Sequence, residues 1–260
     1  MRRLLVLTLA ALALTQAGCG RRPATQVLFV GNSLTYVGNL PAVLGALAAA
    51  NGRSLQADMI VKGGATLTER LGDGSVTRVL ARRHYDFVVL QERGGDFLCG
   101  FEPTKCRDAK ASTTALVRIA RNASAEPLLL GTYQTMPEVS AVLMNEESQA
   151  ARAATVPYVA VSDRLQRGLT TSPKKLWLYA DGMHPGPDLV LLESVLLYRQ
   201  LFGALPAVHV FGVHAPMYRP DAKFSTPAPI SLPILKGNEQ RGYTYSPQDV
   251  EDAIKFAHDE

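Results

Sequence analysis

Cysteine is scarce in this sequence and occurs at only three of its 260 positions. A structural zinc site needs about four soft ligands close together, and two of them are missing near Cys99 and Cys106, so we expect no metal. Low-complexity tracts and internal repeats are also absent, which excludes solenoid and propeller architectures. The length and the 47% hydrophobic content suit one domain with a sizeable core.

The region predicted to form the folded domain has no surplus of positive charge. The formal net charge is +4, but four arginines stand before position 25, at positions 2, 3, 21 and 22. Without them, 23 basic residues remain against 23 acidic ones. A neutral domain has no basic face for a polyanion, so no nucleic-acid partner is expected.

The N-terminus carries an apolar stretch that is too short to be a stable membrane span. A basic start at residues 1–3 precedes Leu4 to Ala13, which is the layout of a secretory signal peptide. Small residues directly before Cys19 resemble the bacterial lipobox, in which that cysteine is lipidated. Gln16 departs from the motif, which usually has an aliphatic residue there, and ordinary cleavage after Ala17 is the alternative.

These features predict an exported protein. We assign residues 1–18 to a lipoprotein-type signal peptide and residues 19–25 to a tether, with the lipid on Cys19. The protein would then be anchored in a bacterial envelope, or would be periplasmic or secreted if Cys19 is not lipidated. In an oxidising compartment Cys99 and Cys106, which lie in a loop-like stretch, are expected to form a disulfide, with free thiols as the alternative.

Between residues 26 and 205, continuously apolar strand patterns alternate with helical ones. The predicted strands are Gln26 to Val30, Ala57 to Val61, Asp86 to Leu90, Pro127 to Leu130 and Pro157 to Val161. The predicted helices are Leu40 to Ala50, Val76 to Arg83, Lys110 to Arg121, Ala141 to Ala154 and Pro187 to Phe202, the last ending at Gly203. This alternation is typical of a three-layer α/β/α sandwich with a central parallel five-stranded sheet, of the flavodoxin-like sort.

Residues 206–260 do not show this alternation. They are rich in proline and aromatic residues. We therefore predict an irregular C-terminal extension packed on the domain of residues 26–205, with a short final helix from Gln248 to Ala257.

In such sheets, ligands bind beyond the carboxyl ends of the strands. Ser33 follows the first strand in a glycine-containing turn, which would expose its hydroxyl near a helix N-terminus, although serine often only caps a helix there. Gly63 and Gly64 follow the second strand and would either expose backbone N–H groups to a ligand or form a plain turn. Gln91 follows the third strand and would either donate its NH₂ group to an oxyanion or lie on the surface.

The segment before the last long helix holds an acid and a histidine, Asp181 and His184, in a loop shaped by Gly182 and Pro185. This spacing allows the Asp181 carboxylate to accept from Nδ1–H of His184, which turns Nε2 toward a nucleophile. The alternative is a helix-entry loop in which Asp181 caps backbone amides and His184 is exposed. The other histidines, at positions 84, 209, 214 and 258, are given structural or surface roles.

In their order along the chain, these four elements resemble the sequence blocks of the SGNH (GDSL-like) hydrolase superfamily, over about residues 26–203. The blocks are a G-[DN]-S-[LF] turn after the first strand, a glycine after the second, an amide side chain after the third, and D-x-x-H-P before the last helix. Here they read Gly31-Asn32-Ser33-Leu34, Gly64, Gln91 and Asp181-Gly182-Met183-His184-Pro185. Two departures are Asn32 in place of aspartate and the absence of G-x-N-D at the third block, where Gln91 stands.

The resemblance implies the SGNH hydrolase fold and a role for each of five residues. Ser33 would be the nucleophile, His184 the general base and then acid, and Asp181 the group that orients His184. The backbone N–H groups of Ser33 and Gly64, with the side chain of Gln91, would form the oxyanion hole.

By the same resemblance, the chain would be a serine esterase that hydrolyses carboxylic esters through an acyl-enzyme, with no cofactor and no metal. The expected substrate is a small-molecule or glycan ester. A short acyl group such as acetyl on a carbohydrate is favoured, because no extended apolar run borders the predicted mouth. An acyltransferase with the same triad stays open, as does a non-catalytic surface lipoprotein that binds glycans. The sequence indicates no oligomeric state.

Overall fold

A computed structural model describes residues 23–224, 230–231 and 242–258 of the chain. The signal peptide predicted for residues 1–18 and the lipidation site at Cys19 lie outside the described residues. Within the described ranges, every helix is too short or too polar to cross a membrane.

The central sheet contains the five parallel strands that the sequence predicts. They are β1 (Thr25–Gly31), β2 (Leu55–Val61), β3 (Phe87–Gln91), β4 (Glu126–Leu130) and β5 (Tyr158–Val159), in the spatial order β5-β4-β3-β1-β2. Beyond the prediction, a short strand β7 (Ile230–Ser231) from the C-terminal extension pairs antiparallel with β2 at the sheet edge.

Both faces of the sheet are buried, because successive side chains of a strand point to opposite faces. In β1, Val27 and Phe29 belong to one hydrophobic core, and Leu28 and Val30 belong to a second core on the other face. This division confirms the predicted three-layer arrangement, in which each sheet face is covered by helices.

The helices of the described residues follow the predicted alternation. They are α1 (Ser33–Tyr36), α2 (Leu40–Ala50), α3 (Leu67–Gly72), α4 (Ser75–Leu80), α5 (Pro103–Asn122), α6 (Pro137–Ala154), α7 (Ser162–Thr171), α8 (Pro187–Phe202) and α9 (Pro247–Ala257). The bounds of α2 and α8 match the prediction, and Gly203 ends α8 in the left-handed conformation with φ 72°. The short helices α1, α3 and α7 were not predicted, because one to three turns carry too little periodicity.

The C-terminal extension has more regular structure than the sequence predicts. Its strands β6 (Phe211–Val213) and β8 (Tyr243–Tyr245) form a two-stranded antiparallel sheet, and α9 packs on α8. The Phe256 ring of α9 lies 5.2 Å from the Trp177 ring in an edge-on arrangement. An aromatic pair of this kind helps to fix α9 on the domain.

One stretch of the extension, residues 218–224, lies against the loops that follow β1 and β2; we call it the C-terminal strap. Its Tyr218 carbonyl accepts from the Gly38 N–H at 2.9 Å, and its Phe224 carbonyl accepts from the Gly63 N–H at 3.1 Å. The strap therefore connects two loops at the carboxyl edge of the sheet.

The predicted disulfide is present, and its two cysteines have a Cα separation of 5.0 Å. The predicted loop around it is wrong in part. Cys106 lies in the first turns of α5, because that helix begins at Pro103 and not at Lys110. Proline is well suited to the first turn of a helix, where its missing N–H would have had no intrahelical acceptor.

We expect reduction of this disulfide to lower the free energy of unfolding by about 2 kcal/mol, because the bridge restricts the unfolded chain. Urea titrations with and without reductant measure this change. The variant with both Cys99 and Cys106 replaced by alanine is the control, and its midpoint should not respond to reductant. An unchanged midpoint for the reduced wild type would contradict a stabilising role.

Candidate active site

Ser33 lies in a tight turn at the carboxyl end of β1. The Asn32 side chain caps α1 by accepting from the Leu34 N–H at 3.0 Å, so Ser33 becomes the first residue of the helix. Glycine is required at position 31, because a Cβ there would lie 2.1 Å from Oγ1 of Thr35. The local sequence therefore fixes the backbone position from which the Ser33 side chain projects.

Asp181 and His184 form a hydrogen-bonded pair within one loop. Nδ1 of His184 lies 2.6 Å from Oδ2 of Asp181, while Oδ1 of Asp181 accepts from the N–H groups of Met183 at 2.9 Å and His184 at 3.0 Å. Desolvation is the largest single effect on Asp181 and opposes its ionisation, but the hydrogen bonds to Met183 and His184 together outweigh it and lower the pKa of the carboxyl to about 2. A carboxylate can only accept, so Nδ1 of His184 donates to Asp181, and in the neutral imidazole Nε2 is then the accepting nitrogen.

Ser33 and the Asp181–His184 loop meet at one cavity of about 240 Å³. From the loop, Gly182 and Met183 contribute to the cavity wall. The complete lining consists of Asn32, Ser33, Leu34, Gly64, Arg93, Gly94, Tyr133, Gln134, Thr135, Gly182 and Met183. Ser33 and Gly64, which sequence reasoning selected after β1 and β2, thus line one cavity, whereas the loop before α8 lines it through Gly182 and Met183 and not through Asp181 or His184.

Gly64 lies in this wall with φ 69°, a left-handed conformation that favours glycine. The helix after it, α3, is held by Glu92, whose carboxylate accepts from the N–H of Leu67 at 3.1 and 3.2 Å. Glu92 is fully buried, and this burial raises the pKa of its carboxyl to about 7. Glu92 therefore joins the β2 loop to the end of β3, a link that sequence reasoning missed.

Gln91 lies beneath the Ser33 turn and is absent from the cavity lining. Its side-chain carbonyl accepts from Oγ1 of Thr35 at 2.6 Å, and its backbone carbonyl accepts from the Asn32 side chain at 3.4 Å. Gln91 thus anchors residues on both sides of Ser33. Its predicted part in the oxyanion hole stays a prediction.

Glu193 of α8 lies behind Gln91 and is 0% exposed. The Gln91 amide is close enough to favour the Glu193 carboxylate, yet neither carboxyl oxygen has a partner in hydrogen-bond geometry among the described residues. Burial dominates and raises the pKa of Glu193 well above its usual value. A glutamate inside the apolar run of α8 was the sequence signal for it.

The far wall of the cavity is formed by residues after β4, which sequence reasoning also missed. Glu147 holds this loop by accepting from the N–H of Thr132 at 2.8 Å and from its hydroxyl at 2.7 Å. The hydroxyl of Tyr133 donates to the carbonyl of Met183 at 2.9 Å, which links the wall to the Asp181–His184 loop. The strand-end rule would have selected these residues, had it been applied to the fourth strand.

A larger cavity of about 770 Å³ lies along α2, the N-terminal half of β2, and β6. The described part of its lining includes Asp58, Arg83 and His214 but no serine, cysteine or threonine. It therefore has no nucleophile for acyl transfer, and the smaller cavity is the candidate active site.

The described residues contain one group of side chains with metal-ligand chemistry, Cys99, Cys106 and Glu146. The two cysteines are joined in a disulfide, and Glu146 pairs with Lys110 at 2.7 Å. These bonds already use the donor atoms, so the group does not fit a metal ion.

Comparison with known proteins finds solved structures of similar fold. No protein-family model matches the sequence, and no curated protein matches it at a significant level. A solved structure from Slackia heliotrinireducens, described as a candidate SGNH hydrolase, is 25% identical, covers 69% of this chain and 100% of its own, and has a TM-score of 0.58. The acetylxylan esterase Axe2 of Geobacillus stearothermophilus is 17% identical over 69% of this chain and 93% of its own, with a TM-score of 0.52. TesA is 20% identical over 69% of this chain and 99% of its own, with a TM-score of 0.53.

The five-stranded parallel sheet, the strand-end motifs and these structural neighbours together define the class. The chain belongs to the SGNH hydrolase superfamily. It is accordingly a serine hydrolase of the SGNH type.

Proposed function

We propose that this protein is an esterase in which Ser33 is the nucleophile, His184 the general base and Asp181 the residue that orients His184. The observation that carries the proposal is the 2.6 Å Asp181–His184 pair, held in a loop that shares a cavity with Ser33. A serine hydroxyl is a weak nucleophile until a base accepts its proton. An imidazole oriented by an ionised carboxylate is suited to that task.

In the first step, Oγ of Ser33 would attack the acyl carbon while Nε2 of His184 accepts its proton. The carbonyl oxygen becomes negative, and the N–H groups of Ser33 and Gly64 would donate to it. The C–O bond to the leaving group then breaks, and His184 returns the proton to the departing alkoxide. Water attacks the acyl-enzyme by the same route, which releases the acid and regenerates the Ser33 hydroxyl.

The proposed substrate is an ester with a short acyl group, such as acetyl on a carbohydrate. The cavity volume of about 240 Å³ supports this choice, because pockets for drug-sized ligands have roughly 300–1,000 Å³. Axe2 is described as an acetylxylan esterase, and its serine-to-alanine and histidine-to-alanine forms are described as catalytic mutants. Export as a lipoprotein through Cys19, or release without the lipid, stays a prediction.

A panel of esters tests the proposal. We expect p-nitrophenyl acetate to be hydrolysed with a higher kcat/KM than the octanoate, and acetate to be released from acetylated oligosaccharides. A preference for octanoate would contradict the short acyl group. Faster product formation with an added sugar acceptor, through a new sugar ester, would favour the acyltransferase. Binding of acetylated glycans without turnover would favour the non-catalytic alternative.

Arg93 is the cationic side chain of the cavity lining. Asp96 fixes its guanidinium by accepting from Nη2 at 2.8 Å and Nε at 3.3 Å, and other N–H groups of the guanidinium stay available to a ligand. Hydrogen bonds to charged groups contribute roughly 1.5–3 kcal/mol. We therefore expect Arg93→Ala to raise KM for acetylated oligosaccharides by about tenfold or more.

The small substrate p-nitrophenyl acetate is the internal control for Arg93→Ala. It offers no sugar hydroxyls, so its kcat/KM should change by less than about threefold if Arg93 binds the carbohydrate. Equal losses of kcat/KM on both substrates would instead mean that Arg93 maintains the shape of the cavity, and would contradict a role in sugar recognition.

A further inference from the structure

The carboxamide that lies in the wall of the active-site cavity belongs to Gln134, not to Gln91. Gln134 lines the cavity together with Ser33 and Gly64. Its hydrogen bonds involve only its backbone, and its side-chain amide has no partner among the described residues. Two N–H donors are therefore available at this wall.

The backbone of Gln134 is fixed on both sides. Its N–H donates to Oγ of Ser162 at 3.1 Å, and its carbonyl accepts from Nε2 of Gln166 at 2.6 Å. The Ser162 hydroxyl is itself held by Ser140 at 2.6 Å. The backbone from which the Gln134 side chain projects is therefore fixed, which limits the positions that its amide can reach; electrostatic catalysis depends on donors placed in advance of the reaction.

The end of the Gln134 side chain lies near the loop after β3. A Cβ built on Gly95 would lie 3.8 Å from Nε2 of Gln134, which is ordinary van der Waals contact. The end of the Gln134 side chain therefore lies over Gly95, which has no side chain of its own. Gln91, by contrast, is 1% exposed, and its amide faces Thr35 on one side and Glu193 on the other.

We propose that Gln134 is the third donor of the oxyanion hole. This inference rests on the proposed function of Ser33. As Oγ of Ser33 bonds to the acyl carbon, the C=O electron pair moves onto the carbonyl oxygen. Nε2–H of Gln134 donates to that oxygen together with the N–H groups of Ser33 and Gly64, and the bond is lost when the C=O bond re-forms.

The variants Gln134→Ala and Gln134→Glu test the proposal on p-nitrophenyl acetate. Loss of one oxyanion donor typically lowers kcat by roughly 10²–10³-fold. We expect kcat and kcat/KM to fall together by that factor in Gln134→Ala, because the bond strengthens only in the transition state. Gln134→Glu keeps the shape of the side chain but replaces the donor by an anion, and it should be at least as impaired. Inhibition by phenylboronic acid, which forms a tetrahedral adduct with a serine, should weaken by about tenfold or more.

Gln91→Ala is the matched carboxamide control. It removes the bond to Thr35, so it should lower the melting temperature, whereas Gln134→Ala should melt like the wild type. A kcat for Gln134→Ala within about threefold of wild type, or a change in KM alone, would overturn the proposal.

The labelling of Ser33 by a fluorophosphonate separates this result from a failure of the proposed function. If Ser33 is labelled in the wild type and Gln134→Ala keeps full kcat, only the proposed role of Gln134 is contradicted. If Ser33 is never labelled, the proposed nucleophile and the proposed role of Gln134 are both contradicted.

Discussion

Replacing Ser33 with alanine is expected to lower kcat for p-nitrophenyl acetate by roughly 10⁴-fold or more, because no other group would form the acyl-enzyme. The fold should persist, since the turn is held by Asn32, Gly31 and Thr35 and not by the Ser33 side chain. Steady-state hydrolysis measures the first effect, and thermal unfolding measures the second.

A fluorophosphonate probe gives an independent measurement for Ser33. The serine oxygen bonds to phosphorus and fluoride leaves, so intact protein gains one phosphonyl group at Ser33. Ser33→Ala should not be labelled, whereas Ser54→Ala, which changes an exposed serine outside the cavity, should be labelled like the wild type. Full turnover by Ser33→Ala would remove the basis for the esterase proposal.

His184→Ala should reduce kcat about as strongly as Ser33→Ala, because a nucleophile and its base act as one unit. Asp181→Asn should be less damaging, since it keeps the imidazole but disturbs its tautomer and orientation. The amide of an asparagine can still accept from the N–H groups of Met183 and His184, so the loop itself should keep its conformation. Steady-state hydrolysis and thermal unfolding of both variants measure these effects.

The chain offers a matched control for these two variants. His84 also lies beside an acid, with Nε2 at 3.2 Å from Oδ1 of Asp86, although the sequence did not indicate a partner for it. This pair precedes β3 and therefore lies at the amino end of the sheet. His84→Ala should keep wild-type kcat. Equal losses in His84→Ala and His184→Ala would mean that the assay reports general destabilisation rather than catalysis.

Much of the fold could be predicted because its strands are short, continuous apolar runs. In β3 (Phe87–Gln91) the first four residues are such a run. The Asp181–His184 pair could be predicted because its two members lie in one loop and Gly182 adopts a φ of 66°. Local geometry of this kind depends on few residues, and a sequence pattern can specify it.

The side chains that shape the cavity from a distance could not be predicted in the same way. Gln91 follows Val89 by two positions, so both side chains point to the same face of the sheet. The sequence does not show that α8 covers this face or that Glu193 lies there. The strand-end rule applied to β4 would have selected the position of Gln134, but the sequence does not show that the end of its side chain lies near the loop after β3.

The C-terminal strap extends the part of the chain that supports the proposed active site. Its carbonyls at Tyr218 and Phe224 accept the N–H groups of Gly38 and Gly63, which flank the serine turn and the glycine loop. A chain ending at residue 205 would keep all three proposed triad residues but would lose both acceptors. The hydrogen bonds that hold the loops of the proposed active site therefore extend to residue 224, although the alternation of strands and helices stops some twenty residues earlier.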